Sequence, residues 1–315
     1  MNPVAVITNS GSTRNLRGDN WIDPLLAGEA NLVHFKISRA EEVAGAVQRA
    51  ADAGADTIIV NGGDGTADLV FAALFNGKAY ATLPALALLP AGKTNMTAAD
   101  WSLTGAPEAA LQAVLRCRRE GTLARYIVNR PVLCLSQSRD RPPLYGAFFG
   151  CAEVVEGIHF CRKHIYPLKM PNAVSHVAAL AVLLWRGLRA NPERGKVIVE
   201  EDGRVLQDGE FFAIGVSALD ELLLGIRPMP HKAREGASLH YLSARKGVAS
   251  IVGMLIDFLR HRFAAGSGRT AERVNQLTLR FTGAYTLDGE LYEATADQPL
   301  VLDGQHRLNF LRIPL

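Results

Sequence analysis

Cysteine is scarce in this sequence, and its placement carries no pattern. The four cysteines, Cys117, Cys134, Cys151 and Cys161, form no CxxC pair and no metal-ligand spacing. A disulfide scaffold and a zinc site therefore have no support, and reduced, partly buried thiols of a cytosolic protein are expected. Long hydrophobic runs are missing too: the longest apolar stretch, Val177 to Trp185, is too short to span a bilayer. Met1 to Thr8 lacks a charged region followed by a long apolar one, so no signal peptide is expected. Charge of one sign is not in excess. A net charge of +3 is too small to argue for nucleic acid, and no nucleic-acid partner is expected. The histidines make no HExxH, and no GxSxG elbow occurs, which removes the zincin and serine-hydrolase readings. What remains, 315 residues of which 48% are hydrophobic and 21% charged, is a soluble globular chain with material for two domains or one large one.

The chain is organised around Asn61-Gly62-Gly63-Asp64-Gly65-Thr66. An apolar run, Ile58-Ile59-Val60, precedes it, and the helical pattern Ala67, Val70, Phe71, Leu74 follows. A buried strand feeding a glycine turn that opens a helix is a ready phosphate site: glycine lets the backbone approach a ligand and adopt positive φ, and the helix N–H groups attract an anion. Thr66 is placed to cap the helix. Asp64 would repel bare phosphate but suits a divalent cation bridging the two. A plain structural turn is the alternative, and a single glycine pair would have been enough for it.

Strands and helices alternate around this loop. Val4 to Ile7 reads as a strand ending in Thr8-Asn9-Ser10-Gly11-Ser12, where Asn9 could contact a nucleotide or belong to a plain turn. Leu32 to Ile37 reads as a second strand. Ser38-Arg39-Ala40-Glu41 has capping-box spacing, and the helix after it would bury Val43, Ala46, Val47 and Ala50 up to Gly54. Leu83 to Leu89 leads into Pro90-Ala91-Gly92-Lys93-Thr94-Asn95, and a helix from about Pro107 to Arg119 follows. The alternation predicts an α/β, parallel, doubly wound sheet. Gly92-Lys93-Thr94 is not a P-loop, because Ala87 stands where its first glycine belongs.

From Tyr126 the pattern becomes strands separated by turns: Ile127–Leu135, Leu144–Val155, Lys196–Glu201, Phe211–Val216, Leu239–Leu242, Gln276–Phe281 and Leu291–Ala294. An antiparallel sandwich is expected. Two apolar helical patterns, Asn172 to Arg189 and Gly247 to Phe263, read as packing against it or as a lipid-acceptor groove. The basic clusters Arg116–Arg119, Arg162–His164 and Arg260–Arg262 read as solvated helix ends or as contacts for anionic headgroups. Of two Asp-Gly-Glu triplets, Asp208–Glu210 lies between short strands and reads as a hairpin turn. On sequence alone Asp288–Glu290 would be a turn as well.

These residues together resemble the diacylglycerol kinase catalytic domain, a family shared with sphingosine and ceramide kinases. Asn61 to Thr66 matches its GGDGT signature, which also occurs in NAD kinases and loosely in phosphofructokinases. Leu89 to Asn95 resembles its LPxGTxN segment, Phe149 to Val155 a small-residue strand, and Thr286 to Glu290 its DGE segment, all in family order. Lys93 stands where threonine is usual, Met96 where aspartate is common, Asp68-Leu69 for Asn-Glu, and Glu235-Gly236 for an Asp-Gly near a structural metal. The resemblance implies a three-layer, phosphofructokinase/NAD-kinase-like α/β domain over residues 1–125, with about 309–315 returning to it, and a mainly β sandwich over 126–308 that binds the acceptor. It implies ATP and Mg²⁺ as cofactors and a lipid with a free hydroxyl, such as diacylglycerol, as substrate. In that reading the backbone of Gly62 to Thr66 holds phosphates, Asp64 and Asp288 serve the metal, and Glu290 is the general base in a cleft between the domains. Asn9, Ser38, Asn61, Gly92, Lys93, Thr94 and Asn95 flank the nucleotide. The protein would be cytoplasmic and peripheral at the inner membrane face, with homodimerisation left open. An NAD-kinase-like enzyme and a weakly catalytic nucleotide- or lipid-binding regulator are the rival readings.

Overall fold

The computed structural model describes residues 3–18, 21–137, 141–152, 155, 196–231 and 236–314. The expected helix over 172–189, the apolar run 177–185, the cluster 162–164, His159, His176, Cys161, Glu153, Val154 and Glu235 fall outside those residues. The chain forms two compact units: Met1–Val132 with Pro142–Ala147 and His306–Leu315, and Leu133–Arg141 with Phe148–Gln305.

In the first unit the continuous apolar runs become strands β1 (Val4–Asn9), β2 (Leu32–Ile37), β3 (Thr57–Gly62) and β4 (Ala85–Pro90). They lie parallel in the order β2-β1-β3-β4. Strand β19 (Arg307–Leu311) joins in parallel beside β4, and β5 (Ile127–Pro131) closes the edge antiparallel to β19. The sheet is therefore mixed at one edge rather than wholly parallel. The single strand expected over 127–135 breaks at Val132, whose N–H bonds to His306 O, and resumes in the second unit as β6 (Leu133–Ser136).

Helices α1 (Ile22–Leu26), α2 (Glu42–Asp52), α3 (Asp64–Gly77), α4 (Met96–Trp101) and α5 (Pro107–Arg119) connect the strands. On one face, Ile22 of α1 and Leu111 and Val114 of α5 pack with Val4, Val6, Ile59, Ala87, Leu89 and Leu311. Strand alternation turns Phe310 to the opposite face, where Phe71 of α3 meets it edge-on at 5.8 Å and Trp101 of α4 at 5.1 Å. On that side Phe75 of α3 also stacks near Tyr145 of β7 (Leu144–Gly146) at 4.7 Å. Each such side chain, fully buried, contributes about 1.5–3 kcal/mol.

Two capping expectations need correction. α2 begins three residues later than the capping box requires, and it is Glu42, not Glu41, that reaches back to the Ser38 and Arg39 N–H groups at 2.7 and 3.2 Å. Those bonds hold the Glu42 carboxyl below its ordinary range. Thr66 does not cap α3. The N-cap is Gly63, and Thr66 is already in the first turn.

The second unit is antiparallel and strand-rich: β6, β8 (Phe148–Cys151), β9 (Lys196–Glu201), β10 (Arg204–Ser217), β12 (Leu239–Arg245), β14 (Arg269–Val274), β15 (Gln276–Arg280), β16 (Gly283–Leu287), β17 (Glu290–Ala294) and β18 (Leu300–Asp303). β10 serves two ladders. Its first half pairs with β9, and its second half lies between β8 and β12. A short parallel pair, β11 (Arg227–Met229) and β13 (Arg262–Ala264), and helix α6 (Val248–Leu259) complete the described part.

One of the two Asp-Gly-Glu triplets departs from its sequence reading. Asp208-Gly209 is not a turn but lies inside β10. The hairpin there is made by Asp202 and Gly203, both at positive φ (51° and 74°). Asp288 and Gly289, also both at positive φ (46° and 93°), form the two-residue hairpin between β16 and β17.

Cys117, Cys134 and Cys151 are buried, and burial pushes the Cys151 thiol far above its ordinary range. Because the thiolate is the reactive form, iodoacetamide should label none of the three in the native protein and all of them after unfolding. Peptide mapping checks this, and native-state alkylation would contradict it.

Candidate functional site

The strand order places a topological switch between β1 and β3, since the chain leaves β1 toward β2 on one side and returns through β3 on the other. In open α/β sheets the carboxyl ends of the strands at such a point form the ligand crevice. The two loops that leave it are those carrying Asn9 and Gly62-Gly63-Asp64-Gly65-Thr66. They are tied together: Asn9 Nδ2 donates to Thr66 Oγ1 at 2.8 Å, while Asn9 Oδ1 accepts the Gly11 N–H at 2.9 Å.

Asn61 is fully buried at the end of β3, and its Nδ2 donates to Thr8 Oγ1 and Asn15 Oδ1, both at 3.4 Å. Its own Oδ1 is buried with no hydrogen-bond partner among the described residues. Asn15 also donates to Asn9 O at 2.9 Å and Asn61 O at 3.4 Å. This buried asparagine knits the β1 loop to β3, and sequence reading missed it, because nothing marks it out in the polar run Thr13 to Arg17.

The glycines earn their place by packing and not by positive φ, which none of Gly62, Gly63 and Gly65 adopts. A Cβ on Gly62 would lie 2.6 Å from the Thr66 side chain. On Gly63 it would lie 3.0 Å from Gly92 Cα, and on Gly92, 2.5 Å from Gly63 Cα. The loops after β3 and β4 thus press backbone to backbone. The space between them lined by Gly62, Gly63, Asp64, Asn95 and Thr97 is about 10 Å³, room for about one water. Gly65 is different: a Cβ there would meet nothing within 4 Å.

Asp64 holds the same junction electrostatically. Its Oδ1 accepts the Thr97 N–H at 3.0 Å and its Oδ2 the Met96 N–H at 3.2 Å, so the carboxylate caps the start of α4. The carboxylate assigned to a cation from sequence thus has a structural task as well, and its remaining lone pairs are what a Mg²⁺ ion, which keeps most of its waters, would use. Asn95, at positive φ (55°), completes the β4 loop: its Oδ1 accepts the Gly92 N–H at 2.6 Å and its Nδ2 donates to Gly92 O at 3.1 Å. Lys93 and Thr94 are exposed at the tip, and Ser38 is exposed at the end of β2.

At the start of α3 the Thr66 and Ala67 N–H groups already bond to Gly63 O at 3.0 and 3.1 Å. The Thr66 N–H is thereby engaged within its own turn. Gly63, Asp64 and Gly65 remain as backbone donors without an intrahelical acceptor.

The other candidates belong to the second unit. Asp288 Oδ1 accepts the Phe148 N–H at 3.0 Å and its N–H donates to Phe148 O at 2.9 Å, which fixes the hairpin. Glu290 opens β17 with its side chain exposed.

Residues 3–125 match the family described as the diacylglycerol kinase catalytic domain. No curated protein matches the sequence. Solved structures from Bacillus anthracis str. Sterne share the fold over nearly the whole chain. One, provisionally assigned as a diacylglycerol kinase, is 16% identical with a TM-score of 0.67, covering 99% of this chain and 97% of its own. Another, described as a diacylglycerol kinase, is 15% identical with a TM-score of 0.63 and the same coverage. Residues 3–125, with both glycine loops inside them, thus match the diacylglycerol kinase catalytic domain family, and the chain as a whole shares the fold of these Bacillus proteins.

Proposed function

We propose that this chain is an ATP-dependent lipid kinase that transfers the γ-phosphoryl group to a hydroxyl of diacylglycerol or a related lipid, working at the inner face of the cytoplasmic membrane. The observation that carries this is Gly65. Glycine is the poorest helix former after proline, costing up to about 1 kcal/mol relative to alanine inside a helix, and here neither φ nor a protein neighbour requires it. Bare backbone on the outer side of a helix N-terminus, at the switch point of an α/β sheet, is what close approach of a phosphate needs.

In this reading the N–H groups of Gly63, Asp64 and Gly65 bind and orient the terminal phosphates. Asp64, and by family resemblance Asp288, would hold Mg²⁺, which would supply charge neutralisation for the transferring group. Glu290 accepts the proton of the acceptor hydroxyl. Asn9 and Asn95 keep the two loops in position.

The test is labelled ATP with Mg²⁺ against a panel of diacylglycerol, monoacylglycerol, sphingoid bases, ceramide and NAD. Transfer to a glycerolipid is the expected result. Transfer to NAD alone, or tight ATP binding with no transfer, would overturn it. Glu290→Gln should lower turnover by about 10²–10⁴ with ATP affinity unchanged, whereas equal loss of both would make Glu290 a structural residue.

A further inference from the structure

Helix α6 is built inside out. Its polar side chains, Ser250 and Asp257, are both buried. Ser250 Oγ donates to Gly268 O at 3.0 Å, and Asp257 accepts from Arg269 at 2.6 Å, from Arg262 at 3.2 Å and from the Ala264 N–H at 3.1 Å. Ile251 and Met254 lie on the same inner side, in a cluster with Phe212, Leu242 and Phe263. The outer side is aliphatic: Val248 is 63% exposed, Val252 45%, Ile256 43% and Leu259 81%. At α-helical spacing these four fall within an arc of about 80°, and no polar side chain of the helix shares it. A helix at an ordinary water-facing surface carries its charges there.

The stripe runs into positive charge. Arg260 and His261 follow Leu259 and are exposed, and the half-exposed Arg262 is anchored to Asp257. Leu223, 48% exposed, adds to the apolar area on a turn whose Gly225 lies beside His261, a Cβ there falling 3.7 Å from its Nδ1. The sequence reading treated this helix as packing or as an acceptor groove. Packing accounts for Ile251 and Met254, and leaves the outer stripe unexplained.

We propose that the outer face of α6 docks on an anionic lipid bilayer. An aliphatic stripe with no hydrogen-bonding side chain to set a register suits acyl chains, which demand none. A protein interface would ring such a stripe with polar partners. Arg260 at its end suits lipid phosphate, which a guanidinium can hold through two hydrogen bonds. The proposal extends the lipid-acceptor reading to the surface that would bring the chain to its substrate, and so rests on it for its purpose but not for its test.

The intact protein is sedimented, without nucleotide, with vesicles of phosphatidylcholine alone and of equimolar phosphatidylcholine and phosphatidylglycerol. Wild type should partition onto the anionic vesicles. The double variant Val252→Asp/Leu259→Asp should partition at least about tenfold less, with an unchanged melting temperature because both positions face water. Arg260→Glu should weaken binding to the anionic vesicles and leave binding to phosphatidylcholine as it was. Wild type that stays in the supernatant, or a double variant that binds like wild type, overturns the assignment. A wild-type dimer in sedimentation velocity that the double variant breaks would give the face to a second copy instead. Since no ATP is present, failure here leaves the kinase reading standing, and failure of the acceptor panel leaves this one standing.

Discussion

Asp64→Ala should lose phosphoryl transfer by at least about 10³-fold, and it should also lower stability. On sequence grounds alone the substitution is expected to spare folding. The structure alters that expectation, because the carboxylate accepts two backbone N–H bonds at the start of α4. Hydrogen bonds to a charged group are worth about 1.5–3 kcal/mol each and a lost cap about 0.5–2, so a net loss near 2 kcal/mol is a fair expectation. For a domain of this size that is roughly 4–8 °C in melting temperature. Calorimetry and turnover should be read on the same sample, at a temperature where the variant is fully folded. Asp64→Asn is the discriminating partner. Its amide keeps one acceptor for α4 and loses the charge, so stability should return most of the way while activity stays low. If Asp64→Asn regains activity in step with stability, the residue is a cap and the metal must be held elsewhere.

The second large effect is expected at Gly92. A methyl group at that position meets Gly63 Cα at 2.5 Å and Asn95 Oδ1 at 2.9 Å. A backbone atom cannot swing aside as a side-chain tip can, so one loop must retreat. Overpacking of this kind costs about 1–3 kcal/mol, and misplacing a phosphate-binding loop by about 1 Å can cost 10²-fold in turnover. Gly92→Ala should therefore reduce both. Gly65→Ala provides the contrast, because the methyl enters open space in a helical turn. It should leave the melting temperature unchanged or raise it by a few degrees, yet weaken ATP binding at least tenfold if a phosphate occupies that space. Isothermal titration with an ATP analogue and Mg²⁺ checks it. Unchanged affinity in Gly65→Ala would remove the main support for a phosphate on this turn.

Much of this geometry was legible in the sequence wherever it depends on neighbours along the chain. The runs Ile58 to Val60 and Leu83 to Leu89 announce buried parallel strands, because a strand covered on both faces has no polar positions to alternate. Pro107 marks the first turn of α5 for an equally local reason. The misreadings share a cause in long-range pairing. Asp64 caps a helix whose first residues lie 32 and 33 positions later, and no spacing rule reports that. Asp202-Gly203 and Asp208-Gly209 carry the same turn chemistry, and only the register of β9 against β10 decides which becomes the hairpin. At Gly63 and Gly92 the constraint is two separate loops pressing together, which no local spacing reports. In α6 the apolar period is that of a core helix, and only the finished surface reveals which half stays wet.

Strand β19 has a consequence for how the chain is made. It occupies an interior place in the first sheet, flanked by β4 and β5, yet in chain order it comes after the whole of the second unit. Until then β4 and β5 lack the partner that joins them, and two rows of backbone amides stand open to any passing strand. The nascent first unit must therefore wait for the unit that follows it, which is the reverse of the usual order in which earlier domains finish first.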